Sequence, residues 1–229
     1  MTIPWRPVYA VLEREVVRMF RQRTRLVAAL VRPLIWLFVI GAGFGAVLGK
    51  ANGLSYQQFL VPGVLGMTML FGAMLAALTV VYDKESGVMR MLIVAPFAHY
   101  WIVIGKMLAA ALAAILQALL LLIVLALLGY VAQETRLGIL VIGLIATSLA
   151  CAGIGMLVAA FTRTLDNFAA IMNFVIFPVF FLSGSLYPVN QLPALLKAVA
   201  LANPYTYGVD LLKHATLGVS PSGMGADFP

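Results

Sequence analysis

Residues 107–128 read MLAAALAAILQALLLLIVLALL. No charged side chain interrupts them, and Gln117 is their single polar group. At 1.5 Å per residue a helix of this length reaches about 33 Å. A hydrocarbon core about 30 Å thick is crossed by roughly 20 mostly apolar residues, so the stretch, taken as a span over about 101–128, is membrane-grade. The whole chain agrees with that reading. Its 229 residues are 63% hydrophobic and 10% charged, whereas soluble domains carry about 45–50% apolar and about 25% charged residues. A single soluble globule cannot hide that much apolar surface, so the fold class is an all-α integral membrane protein.

Working outward, four more segments are long and apolar enough to cross: 33–49, entered at Pro33, then 58–82, 137–161 and 168–186. This gives a bundle of five transmembrane helices. The chain reads as one membrane domain over 1–229: an interfacial helix at 1–28, five spans within 29–186, and outer re-entrant helices with a tail at 187–229. The basic residues set the orientation. With the N-terminus in the cytoplasm, the cytoplasmic pieces hold Arg6, Arg14, Arg18, Arg21, Arg23, Arg25, Arg32, Lys84, Arg90, Lys106 and Arg163; Lys50, Arg136, Lys197 and Lys213 fall outside. Eleven against four of the 15 basic residues favours this direction. The net charge of +7 then reflects topology and anionic lipid rather than nucleic acid. The basic region before the first span is too long for a cleaved signal and contains Glu13 and Glu15.

Over about 7–26, Tyr9, Leu12, Val16, Met19 and Phe20 share one helix face, with Arg14, Arg18, Arg21 and Arg25 opposite. That pattern predicts an amphipathic basic helix lying in the cytoplasmic interface. Gly41, Gly45 and Gly49 recur every four residues in the first span; such spacing allows close helix approach, within the chain or between subunits. Gly49-Lys50-Ala51 does not make a phosphate loop, because Phe44 stands where that pattern needs glycine. Any ATP hydrolysis therefore belongs to another chain. Gln117 and Asn173 are the notable polar groups within spans, serving either interhelical hydrogen bonds or a pathway. The lone Cys151 sits in an apolar run, and no catalytic residue or metal site is expected.

Two short helical patterns follow the fifth span. LPALLKAVALA has Pro193 near its start, and NPYTYGVDLLKHATLG opens with Asn203 as cap and Pro204 in the first turn. Neither is long enough to cross, so both are read as outer re-entrant or interfacial helices, with Tyr187, Tyr205 and Tyr207 as interface aromatics. Between the second and third spans lies a cytoplasmic loop, 83–98. Asp83 is read there as a cap, Lys84 to Ile93 as a helix of about three turns, Lys84 and Glu85 as solvated, and Val88, Met89, Leu92 and Ile93 as an apolar edge. Such a helix either docks in a groove of a soluble partner or is a plain connector.

This loop resembles the intracellular loop of the type-2 permeases of ATP-binding-cassette exporters, on Asp83, Glu85, Gly87, Arg90, Leu92 and Pro96. The segment after the fifth span resembles the family's second signature on Ser183, Gly184, Tyr187, Pro188, Leu192, Pro193, Asn203, Pro204, Tyr207 and Asp210. The resemblance covers nearly the whole chain; the family's sixth span, after the outer helices, is missing at the C-terminus of this one. It implies a permease subunit of the bacterial inner membrane, paired with a second permease copy as homodimer or heterodimer. Two cytoplasmic ATPase subunits would carry ATP and magnesium, and this chain would bind no cofactor. The loop would couple them to the spans, and the pathway would run between permeases, lined by the first, second and fifth spans. Ser183, Tyr187, Asn203 and Tyr207 would then stand near an outer gate, with Gln117 and Asn173 along the pathway. The cargo would be an amphipathic drug, lipid or glycan. The competing reading is a membrane anchor or assembly subunit without its own transport activity.

Overall fold

A computed structural model of the chain describes residues 9, 12–14, 17, 23–48, 50–51, 54–94, 98–131, 135–186, 189 and 192–217, with the backbone alone at 23–29, 44–48, 50–51 and 54–55. The fold is all-helical apart from one two-residue hairpin. Helix α1 (Arg23–Leu48) is followed by β1 (Lys50–Ala51) and β2 (Leu54–Ser55), paired antiparallel with Lys50 opposite Ser55. Then come α2 (Tyr56–Glu85), α3 (Val88–Val94), α4 (Tyr100–Leu127), α5 (Leu137–Phe161), α6 (Leu165–Phe181), α7 (Ala194–Ala202) and α8 (Pro204–Leu217). Helices α2, α4 and α5 are long and apolar enough to cross a membrane; α1 and α6 contribute shorter apolar stretches, Leu30–Gly43 and Leu165–Phe181.

Helix α2 is the axis of the bundle. Every residue from Phe59 to Met74 is buried, so the helix is enclosed on all faces, by α1, α4, α5, α6 and α8. In lipid there is little hydrophobic drive between helices, and small residues that let backbones approach take its place. A Cβ on Gly63 would lie 2.5 Å from the Ser185 carbonyl oxygen, one on Gly66 would strike Tyr205, and one on Gly72 would strike Gln117. Gly155 of α5 meets Ala73 and Ala77 in the same way, and Gly208 of α8 meets Thr147 of α5.

Three boundaries differ from the sequence reading. Helix α1 begins at Arg23 and carries Pro33 inside it, rather than starting at Pro33. The missing N–H frees one carbonyl, which a membrane helix tolerates. Asp83 does not cap a new helix. Helix α2 runs on through Glu85, closes with Ser86 N–H donating to Tyr82 O at 2.9 Å and Gly87 N–H to Lys84 O at 3.3 Å, and only then gives way to α3. Gly87 has φ +79, the left-handed backbone that ends many helices and that glycine adopts without a Cβ penalty. Helix α6 stops at Phe181 rather than near 186, because Gly184, with φ +77, turns the chain out of the helix.

Gly41 takes the within-chain alternative, facing Gln57 and Leu60 of α2. Only the backbone of Gly45 is described, and Gly49 lies outside the described residues. The two short helices form as their patterns predict. Pro193 precedes α7, while the Asn203 side chain accepts from Tyr205 N–H at 3.1 Å and caps α8. Helix α8 packs between α2 and α5, burying Tyr205, Val209 and Leu212.

Candidate functional site

The last three residues of α2 point to three different neighbours. Consecutive helix positions are rotated by about 100°, so Asp83, Lys84 and Glu85 fan out. Asp83, 2% exposed, accepts from Lys106 Nζ of α4 and, at 3.0 Å, from Arg14 Nη2 of the N-terminal segment. Lys84 Nζ donates to the carbonyls of Ala159 at 2.7 Å and Ala160 at 3.2 Å, at the end of α5, where the last carbonyls have no partner within the helix. Glu85 Oε2 accepts from Leu165 N–H at 3.0 Å, at the start of α6, where a carboxylate also meets the positive end of the helix dipole. Glu85 stays exposed, as expected, and also holds α6; Lys84, expected to be solvated, is half-buried against the end of α5.

Beyond this clasp hangs α3, with no buried residue. Arg90 N–H donates to Gly87 O at 3.0 Å and its side chain is exposed. Met89 turns toward the bundle and Leu92 is half-buried, whereas Met91 and Val94 are 77% and 85% exposed and Ile93 also faces out. The predicted apolar edge is therefore split. Pro96, Arg18 and Arg21 lie outside the described residues, as do Tyr187 and Pro188; Arg25 is described by its backbone alone, in α1.

The opposite end of α2 is held by neutral groups and one lysine. Ser183 Oγ donates to Phe180 O at 2.6 Å and stands 2.7 Å from Ser185 Oγ. Lys213 Nζ of α8 donates to Gly184 O and lies 4.8 Å from the Phe59 ring centre. Burial pushes this amine down to about 8, against the opposing pull of Asp210. Asn203 Nδ2 donates to Val179 O at 2.8 Å, and Tyr207, exposed, donates to Leu201 O at 2.9 Å.

Ser183 and Asn203 are thus brought to one end, around the close of α6. Gln117 and Asn173 are not brought together. Gln117 is buried against Gly72 on the α4 side of α2, while Asn173 is exposed on α6 with Nδ2 donating to Ala169 O at 3.2 Å. Sequence reasoning missed Lys106 as a partner of Asp83. The available signal was a lone lysine a turn and a half inside an apolar helix, a position that calls for a nearby acid. It also placed Arg32 among the flanking arginines. The structure sets Arg32 beside α2, with its guanidinium 4.3 Å from the centre of the Phe71 ring.

The class this arrangement defines is a polytopic helical membrane protein, with an exposed two-turn helix on a charge-fastened stem. Residues 6–217 match the ABC-2 type transporter family, and the chain belongs to it as a membrane permease. It is similar to Nodulation protein J of Rhizobium leguminosarum bv. viciae, 33% identical over 188 residues, 81% of this chain and 72% of that protein. Nodulation protein J of Rhizobium leguminosarum bv. trifolii is 34% identical over 196 residues, 84% of this chain and 74% of its own. The Cyanophora paradoxa protein named "Putative transport permease ycf38" is 24% identical over 212 residues, 90% of this chain and 72% of its own.

Proposed function

We propose that this permease is the membrane half of an ATP-driven exporter, with α1, α2, α4, α5 and α6 as five spans, its N-terminus in the cytoplasm of a bacterial inner membrane, and α7 with α8 as a re-entrant pair on the outer side. Residues 1–229 act as one membrane domain. It works with a second permease copy and two cytoplasmic ATPase subunits, which hold ATP and magnesium. The observation that carries this reading is α3: a helix with no buried residue, joined through Gly87 to the clasp at Asp83–Glu85.

Exposed Met91, Ile93 and Val94 offer an apolar edge to a groove on the ATPase, and Arg90 stands beside it. Asp83 and Glu85 have a different part. They do not touch the ATPase; they pass the displacement of α3 to α4, to α6 and to the N-terminal segment, while Lys84 passes it to α5. Coupling is then a population shift, in which ATP-bound ATPase favours one arrangement of this stem over another. The cargo, an amphipathic drug, lipid or glycan, crosses between the two permeases along α1 and α6; α2, expected from the sequence to line the pathway as well, is enclosed by the chain's own helices and does not reach it. Ser183, Asn203 and Tyr207 stand near its outer exit.

Purifying the chain with an ATP-binding-cassette ATPase of the same genome that co-purifies with it, and screening amphipathic compounds for stimulated ATP turnover, tests this directly. Stimulated turnover that Met91→Asp abolishes, with membrane insertion unchanged, supports the reading. A chain that inserts and binds the ATPase yet responds to no compound is an anchor or assembly subunit instead.

A further inference from the structure

Phe71 stands midway along the apolar run Phe59–Tyr82 of α2, about 17 Å from either end at 1.5 Å per residue. The Arg32 guanidinium on its ring is therefore held deep in the apolar layer. Among the described residues no carboxylate pairs with it. A cation at such depth is costly unless water, a counter-ion or a partner meets it. Stacking on Phe71 offsets part of that cost but leaves the five N–H donors of the guanidinium to be satisfied.

Arg32 is exposed on the surface of the bundle. One turn further along, Trp36 meets Phe180 and Phe181 of α6, with ring centres 6.0 Å and 6.2 Å apart. Phe177 stacks on Phe181 at 6.1 Å, and Asn173 continues the same four-residue row. Yet Asn173 and Phe177 are exposed. The surface beside the Trp36 contact therefore presents a guanidinium on α1 and an aromatic ring on α6.

We infer that Arg32, with Trp36, Phe71 and Phe177, binds the oxyanion of an amphipathic molecule. A phosphate, sulfate or carboxylate oxygen accepts from the guanidinium, and the apolar part lies along Trp36 and Phe177. The inference rests on the exporter reading for its place in a pathway, and it narrows the cargo to anionic amphipaths. The same chemistry is presented by the headgroup of an acidic bilayer lipid, so two sources need separating.

The chain contains three tryptophans, and Trp5→Phe with Trp101→Phe leaves Trp36 as the reporter. The permease, in phosphatidylcholine nanodiscs without any ATPase, is titrated with ω-bromododecyl phosphate and with ω-bromododecyl maltoside, following quenching of Trp36. The phosphate probe is expected to act at about tenfold lower concentration, since hydrogen bonds to a charged group favour it. Arg32→Gln removes the preference, while Arg32→Lys, which keeps the cation, retains most of it. Equal binding of the two probes, or an unchanged preference in Arg32→Gln protein that elutes as a normal particle, overturns the proposal. Competition by phosphatidylglycerol added to the nanodisc assigns the oxyanion to bilayer lipid; lack of competition assigns it to exported cargo; both uphold the site. Because no ATPase is present, a permease that binds the phosphate probe but never stimulates ATP turnover refutes the exporter reading alone.

Discussion

The two ends of α2 are fastened by different chemistry. At the Asp83 end, three consecutive ionisable side chains reach an arginine, a lysine and the ends of α5 and α6. At the Gly184 end, the helices are drawn together by glycine clearance, and the bonds are those of hydroxyls, an amide and one buried lysine to backbone carbonyls. The first kind of joint is strong but depends on matched charges, so a shift of one partner is felt by all the others. The second depends on shape and changes little when a single polar group is lost. A stem that must transmit movement suits the first; a plug that must stay seated suits the second.

Breaking the charge balance is expected to have the largest effect. Asp83→Asn takes from Lys106, itself buried, the carboxylate it donates to, and disrupting such a pair costs about 3–5 kcal/mol. Thermal unfolding in detergent should show the loss, and adding Lys106→Met should recover most of it, since removing both charges leaves no buried ion to satisfy. If the double variant is no more stable than the single one, the two residues do not act as a pair. At the other end, volume rather than charge should matter. Gly63→Val drives a side chain into the Ser185 backbone, and overpacking of this kind costs about 1–3 kcal/mol; the same assay with Gly43→Val, where a Cβ meets nothing, should show no comparable change. Smaller still, Asn203→Ala removes the cap of α8 and its bond to Val179 O, a loss of about 1 kcal/mol by unfolding.

The smallest effect is one of pH. In the fold Lys213 titrates near 8, below the ordinary lysine value of 10.5, so protonating it opposes folding. That penalty is fully present below pH 8 and fades as pH climbs toward 10.5. Raising the pH from 7 to 8 should therefore add only a few tenths of a kcal/mol, a gain absent from Lys213→Met.

The sequence disclosed the spans whose ends carry local signals. The readings 101–128 and 137–161 fall on Tyr100–Leu127 and Leu137–Phe161, because polar residues and Gly129 bracket them. Pro193 and Asn203 likewise announced α7 and α8. What stayed hidden is tertiary. Asp83 read as a cap, and Lys84 and Glu85 as solvated, because their partners lie in α4, α5 and α6, twenty or more residues away along the chain. Gly87 was legible as part of a motif but not as the joint between two helices, a role that its positive φ reveals. Arg32 read as a flanking charge because its place on the Phe71 ring follows from how α1 lies against α2, which no local pattern encodes.

In the proposed exporter α3 is the place where a cytoplasmic engine grips the bundle. Replacing Cys151 by serine and Met91, 77% exposed, by cysteine gives a single reporter on that helix for a membrane-impermeant maleimide. Labelling is expected in inside-out vesicles, with protection when the ATPase is added, and none from the other face. Labelling from right-side-out vesicles, or full labelling with the ATPase bound, would contradict it.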